Sequence, residues 1–275
     1  KNWRLQKFTW RQDFHLNNPA VRKPDYNGVV VTEDMLLVTD NDERNLQLYS
    51  RRDGKLLSSH RLESRPYGVC LISKTEVAVC LWNSIVILSF KSIDDIKLVK
   101  TLDVKTEFNW CDSVAKLNSD KLVVSGRKDG MLRWVVVSIT DGRLDSTHNI
   151  CEGSRTHLAI KDNTLYISCW TYDSTTTNGV CAYDIFNPHT HKFLYQHQEL
   201  KLPWTIMAGR DSVFVIDKYS NRIHQLTDNG HLLTIHTVSS SPYGIFYDDQ
   251  HGVLYTTSWG SNVITVYRVE YLHQP

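Results

Sequence analysis

Three tryptophans, Trp82, Trp170 and Trp259, stand 88 and 89 residues apart, each directly after a short apolar run and directly before a small polar turn. Before and between them the same position is filled by Asn41, Arg127 and Lys218, so that aromatic and polar or cationic side chains alternate. The chemistry open to such an alternation is recognition. An exposed ring offers flat apolar area and a neighbouring guanidinium or ammonium offers charge, the pairing that interaction hot spots use. Arg44 and Lys128 lie in the same short turns, and a second set of candidates, Arg65, Tyr67, Trp110, Arg155 and Tyr243, with Tyr26 and Trp204, opens other strand-like runs. Trp82 and Trp259 abut Asn83-Ser84 and Gly260-Ser261-Asn262, so the three tryptophans are expected to be at least partly wet. Replacing Trp170 and Trp259 by alanine is then expected to abolish binding with little loss of stability.

Groups for covalent, phosphate or metal chemistry are not assembled in the sequence. There is no Gly-x-Ser-x-Gly elbow, Gly-rich phosphate loop, His-Glu-x-x-His or Cys-x-x-Cys. His189-Thr190-His191 lies in a long turn without a matching third ligand and reads as a solvated segment. Asp40-Asn41-Asp42 opens like a calcium loop but lacks the Gly and the terminal Glu at the required spacing. Asp40 is better suited to fixing its turn by accepting backbone N–H groups, with Asp217 as its counterpart. The expectation is a non-catalytic domain with no metal and no cofactor.

The elements that must hold these side chains repeat. Apolar runs such as Leu36-Leu37-Val38, Val77-Ala78-Val79, Leu122-Val123-Val124, Val213-Phe214-Val215 and Val253-Leu254-Tyr255 are β-rich, too short for helices, and recur at roughly 40 to 48 residues. Each is followed across a polar turn by a second run, such as Ile85-Val86-Ile87-Leu88 or Val263-Ile264-Thr265-Val266, giving hairpins. A third run precedes each pair, and a fourth follows turns such as Asp53-Gly54, Asp141-Gly142 and Asn229-Gly230. Six units of four antiparallel strands predict an all-β, six-bladed β-propeller spanning residues 1–275 as one domain. The last unit stops after three strands near Val269, and the segment Trp3 to Trp10 is expected to supply its missing outer strand and close the ring. In such a disc the loops after each second strand and those leading into each innermost strand emerge on one face, which gathers the candidates above.

The stretch Asp217 to Gly230 resembles the core of an NHL repeat, with a strand ending in Asp, an Asn-Arg turn, a second strand and a Gly turn. Asp40 to Tyr49 with Asp53-Gly54 is similar, as are the openings Pro66-Tyr67-Gly68 and Pro242-Tyr243-Gly244. NHL propellers most often form the C-terminal recognition domain of tripartite-motif proteins, whose RING and B-box modules carry ubiquitin ligase activity. The resemblance therefore implies a substrate-selecting domain of such a ligase, or an RNA-binding domain, since several NHL domains bind RNA on this face. A cytoplasmic location is expected from the scattered cysteines and the lack of a signal-like segment. Trp-Asp dipeptides and Gly-Gly pairs, the marks of other propeller repeats, are absent. Some six-bladed propellers are calcium-dependent lactonases or metal lyases whose ligands converge on the channel, where this sequence offers Asp112 and His157.

Composition sets the order of these readings. A formal charge of +1 and a pI near 7.8 fall short of the basic balance usual for nucleic-acid domains. Acidic residues such as Asp42, Asp112, Asp173 and Asp217 share the rim with the cations. A protein or peptide partner is thus preferred to single-stranded or stem-loop RNA, and a small-molecule substrate or a membrane is not expected. The loop Trp170 to Gly179, with its Ser174 to Thr177 run, reads as a flexible lip to this face. Six scattered cysteines read as buried free thiols, and no apolar stretch approaches the roughly 20 residues that span a bilayer. The chain opens on Lys1 and is expected to be a piece of a longer protein.

Overall fold

A computed structural model describes residues 6–18, 24–92, 95–152, 155–170, 178–189, 191–238 and 241–271. The described residues form six four-stranded antiparallel sheets with no helix, each sheet one blade of a ring. In five blades the strands follow chain order from the inside outward. The sixth has the order Pro242–Asp248, Val253–Ser258, Val263–Tyr271 and, outermost, Gln6–His15.

The N-terminal segment therefore closes the ring with the strand Gln6–His15, which continues past Trp10, while Trp3 to Leu5 lie outside the described residues. Pairing sets this register: Asp13, Phe14 and His15 lie opposite Thr265, Ile264 and Val263. The Thr265 hydroxyl donates to Asp13 at 3.0 Å, and the Leu16 amide donates to Asn262 O at 2.8 Å. Gly54 and Gly230 sit at φ +70° and +80°, where a Cβ would come within 2.2 Å of His15 O and 2.1 Å of Leu194 O. Glycine is required at both turns by backbone angle and by close approach of the neighbouring blade.

Apolar strands buried on both faces pack blade against blade. Ala78, Ile87, Val114 and Val124 share one interblade cluster, and Phe214, Ile223, Ile245 and Leu254 another. Asp217 accepts the Lys201 and Leu202 amides at 2.8 Å each and the Ser220 hydroxyl at 2.7 Å. Asp40 accepts the Asp42 and Glu43 amides, as its place in the repeat suggested. Cys80, Cys111, Cys169 and Cys181 are buried and Cys70 is partly buried, while the side chain of Cys151 lies outside the described residues. No helix is long and apolar enough to cross a membrane among the described residues.

The innermost strands aim the site. In blades one, three, five and six the pairing of the first strand slips near its start, between Tyr26 and Gly28, Cys111 and Ser113, Pro203 and Ile206, and Pro242 and Ile245. Such bulges re-aim side chains beside functional sites. Here they fall at one end of the channel, where Asn27 and Asp112 are the extra residues.

Candidate functional site

At that end Lys218, Arg155 and Arg127 lie over a floor of aromatic rings. The Lys218 ammonium is 4.2 Å from the Tyr243 ring centroid, 4.3 Å from that of Trp204 and 5.6 Å from that of Trp259. The Arg155 guanidinium is 5.2 Å from Trp204, 5.5 Å from Trp110 and 5.7 Å from Tyr67. Arg127 sits 5.1 Å from Trp110, its paired residue on the neighbouring strand. Rings facing cations at these distances attract them through the π quadrupole.

Low solvation moves the protonation of the groups around them. Lys218 is drawn down to about 8, chiefly by burial and further by the positive Arg155, against the opposing pull of Asp25. Asp25 is pushed up to about 6 by burial and by Asp42, with Lys218 and a hydrogen bond from Asn41 working the other way. Asp112 is raised to about 7 by burial despite Arg127 and Arg155; its Oδ2 accepts the Thr156 amide, and Oδ1 is buried without a partner. His157, enclosed and close to Arg155 and Lys218, falls to about 3 and is neutral at physiological pH.

The mouth thus gathers Lys218, Arg155, Arg127, Tyr67, Trp110, Trp204, Tyr243 and Trp259 from the face candidates and Asp112 and His157 from the channel candidates, and adds Asp25. Trp82 is 44% exposed and leans on Trp110 at 4.1 Å between centroids, extending the aromatic surface outward. Arg65 is exposed, close enough to bias the Tyr67 phenol. Arg44 occupies an exposed turn at φ +53°, and among the described residues no ring contact or ion pair ties it to the mouth. Lys128 is directed away, its ammonium bonded to Thr106 O, because successive side chains of the strand Lys121–Lys128 point to opposite faces. The run Ser174 to Thr177 lies outside the described residues, as does Thr190 of the His189 turn.

Trp170 departs from the expectation that it is wet. It is 3% exposed, packed 5.7 Å from Trp204 in the core between blades four, five and six. Trp259, at the equivalent position, is 60% exposed. The partner supplied by the adjacent blade, not the repeat, decides which ring is covered.

The acidic groups do not assemble a metal site. Among the described residues no cluster of three or more His, Cys, Asp and Glu could hold a metal ion. Asp25 and Asp112 face Lys218, Arg127 and Arg155, so a divalent cation would enter a field already neutralised by three cationic side chains. The residues present do not fit the calcium or metal centre of a metal-dependent propeller.

No protein-family model matches the chain, and no curated protein matches it. Solved structures do. A luciferin-regenerating enzyme aligns with a TM-score of 0.70 at 14% identity, over 96% of each chain. A gluconolactonase from Xanthomonas campestris aligns at 0.67 and 12% identity, over 94% of this chain and 95% of its own. A virginiamycin B lyase from Staphylococcus aureus aligns at 0.62 and 14% identity, over 97% and 89%. At these identities the likeness carries the fold.

These neighbours correct the functional expectation. The reading as a non-catalytic recognition domain of a tripartite-motif ubiquitin ligase, binding a protein or RNA, gives way, because the structures that share this fold include enzymes. The physical reason lies in the residues that carried the resemblance. Asp217, Asp40 and the Gly turns hold blade geometry, so they report architecture and not partner.

Two outcomes are expected. Trp170→Ala costs about 3–5 kcal/mol in urea unfolding, and Trp259→Ala stays within about 0.5 kcal/mol; equal effects would contradict the assigned burial. Asp112, raised in the folded state, contributes stability that is present below about pH 4 and lost as pH rises through about 7. Asp112→Asn is therefore expected to raise the urea midpoint at pH 8, with a gain that shrinks on acidification and vanishes near pH 4. A gain independent of pH would show that the carboxyl is not held neutral.

Proposed function

We propose that this chain is an enzyme of the hydrolase or lyase class, acting at the mouth of the propeller channel on a small anionic carbonyl compound. The observation that carries the reading is the lysine held against Trp204 and Tyr243 with its pKa drawn down to about 8. At such a value about a tenth of the amine is free at pH 7, whereas an ordinary lysine is almost wholly protonated. A desolvated lysine of this kind serves as a general base.

Arg155 complements it. Its guanidinium is held by three rings in a partly buried place, where it can receive a carboxylate or a developing oxyanion. In hydrolysis, Lys218 removes a proton from water, the oxygen bonds to the carbonyl carbon, and the carbonyl oxygen takes the negative charge facing Arg155. Collapse of the adduct breaks the bond to the leaving oxygen, which takes the proton back from Lys218. In elimination the same amine takes the proton from the carbon beside the carbonyl, Arg155 faces the enolate oxygen, and the β-substituent leaves. Asp25 acts through Lys218: its negative charge favours the ammonium form and so sets the pH at which the base becomes available. The NHL-like pattern of the blades is compatible with this role, because its carboxylates, Asp40 and Asp217, serve the turns.

The test is a kcat/KM profile over pH 6 to 9.5 against carboxylate-bearing lactones, aryl esters and β-eliminating acids. Activity is expected to rise through about pH 8. Lys218→Met should lose about 10²- to 10⁴-fold, and Asp25→Asn should shift the rising limb to lower pH. No turnover of any of the three classes, or activity indifferent to Lys218→Met, would overturn the assignment.

A further inference from the structure

Beneath the mouth the channel contains a cavity of about 230 Å³, bounded by the innermost strands of all six blades. Its wall is largely aliphatic, with Val69, Leu71, Val114, Leu158, Ile206 and Ile245 among the lining residues. The polar side chains in the wall are mostly engaged with the protein. The Ser113 hydroxyl accepts the Leu158 amide, the Thr205 hydroxyl donates to Tyr243 O, and the Lys116 ammonium donates to Ile72 O. With these groups engaged, the side chains of the wall present a mainly apolar surface to an occupant.

Cavity and mouth share residues. Tyr67 and His157 line the cavity, while the Tyr67 ring lies 5.7 Å from the Arg155 guanidinium and the His157 ring 5.8 Å from that of Trp204. His157 stays neutral and so adds no charge where cavity and mouth meet. Asn27 borders the cavity and is 6% exposed; its amide donates to Pro66 O, and its Oδ1 is buried with no partner. That oxygen can accept from a hydroxyl carried on the ligand.

We propose that the channel binds an amphipathic carboxylate, with its anionic head on Lys218 and Arg155 and its aliphatic chain in the cavity. This rests on the mouth being the active site and names the substrate class it would take. At roughly 30 Å³ for each group of water size, the cavity accommodates a chain of about eight carbons. The arrangement also explains why a lysine and two arginines stand at one end of an apolar tube: the charge fixes which end of the ligand stays outside.

Binding of straight-chain carboxylates from two to twelve carbons to the full chain, followed by calorimetry below their micelle concentrations, tests the proposal. Affinity is expected to rise about fourfold with each added methylene and to level off near eight carbons. Ala208→Leu, which fills the cavity, should bring the plateau to shorter chains, and Lys218→Met should weaken every member by a similar factor without changing the slope. The series on the unmodified protein decides the matter even if the Ala208 variant does not fold. Affinity that is flat with chain length overturns the proposal; if short carboxylates still bind and still need Lys218, the head site survives it. Chain-length dependence indifferent to Lys218→Met overturns the shared head site, and with it the orientation proposed here.

Discussion

Everything at the channel mouth depends on the pairing of Gln6–His15 with Val263–Tyr271. Without it the last blade would end on an open edge and the ring would have no fixed circumference. With it, the first and last blades are stitched together: the Thr257 hydroxyl donates to Tyr26 O at 2.7 Å, and the Gly260 amide to Pro24 O at 3.1 Å. These bonds hold Asp25 where it can act on Lys218 from the far end of the sequence. Blade four meanwhile delivers Arg155, and blade three Arg127 and Asp112.

The closed ring creates an electrostatic problem and a solution in the same place. Six inner strands converging on one axis leave little room for water around the charges they carry, so burial is the largest influence on Lys218, Asp25, Asp112 and His157 alike. Burial favours the neutral forms, which brings an amine and two carboxyls toward the range in which protons are exchanged near neutrality. The rings of Trp204, Tyr243, Trp110 and Tyr67 replace part of the lost hydration of the cations. Aromatic residues that a sequence reader would assign to a protein partner are here the lining that tunes the charged groups.

The architecture was legible because its signal is periodic. Paired β-rich runs and recurrent Gly turns specify blades, and three strands at one end with a strand-like segment at the other specify closure. The site was legible in part. Arg127, Arg155, Lys218 and their rings follow from the rule that certain loops share a face. Trp170 does not, since its position in the repeat equals that of Trp259 while its cover comes from Trp204 in the next blade. Lys128 could have been separated from Arg127 by strand alternation alone. Asp25 had no local mark, because its significance comes from contacts made only when the ring closes. Function was least legible: the motif that suggested a family consists of turn-holding carboxylates and glycines, which any activity built on this fold can retain.

The central claim is that the aromatic mouth holds Lys218 as a partly neutral amine. Direct titration of its side chain by ¹³Cε NMR, assigned by comparison with Lys218→Arg, measures this without reference to any substrate. The account predicts a midpoint near 8. A midpoint at the ordinary lysine value of about 10.4 would contradict it, leaving the mouth a set of fixed charges with no base.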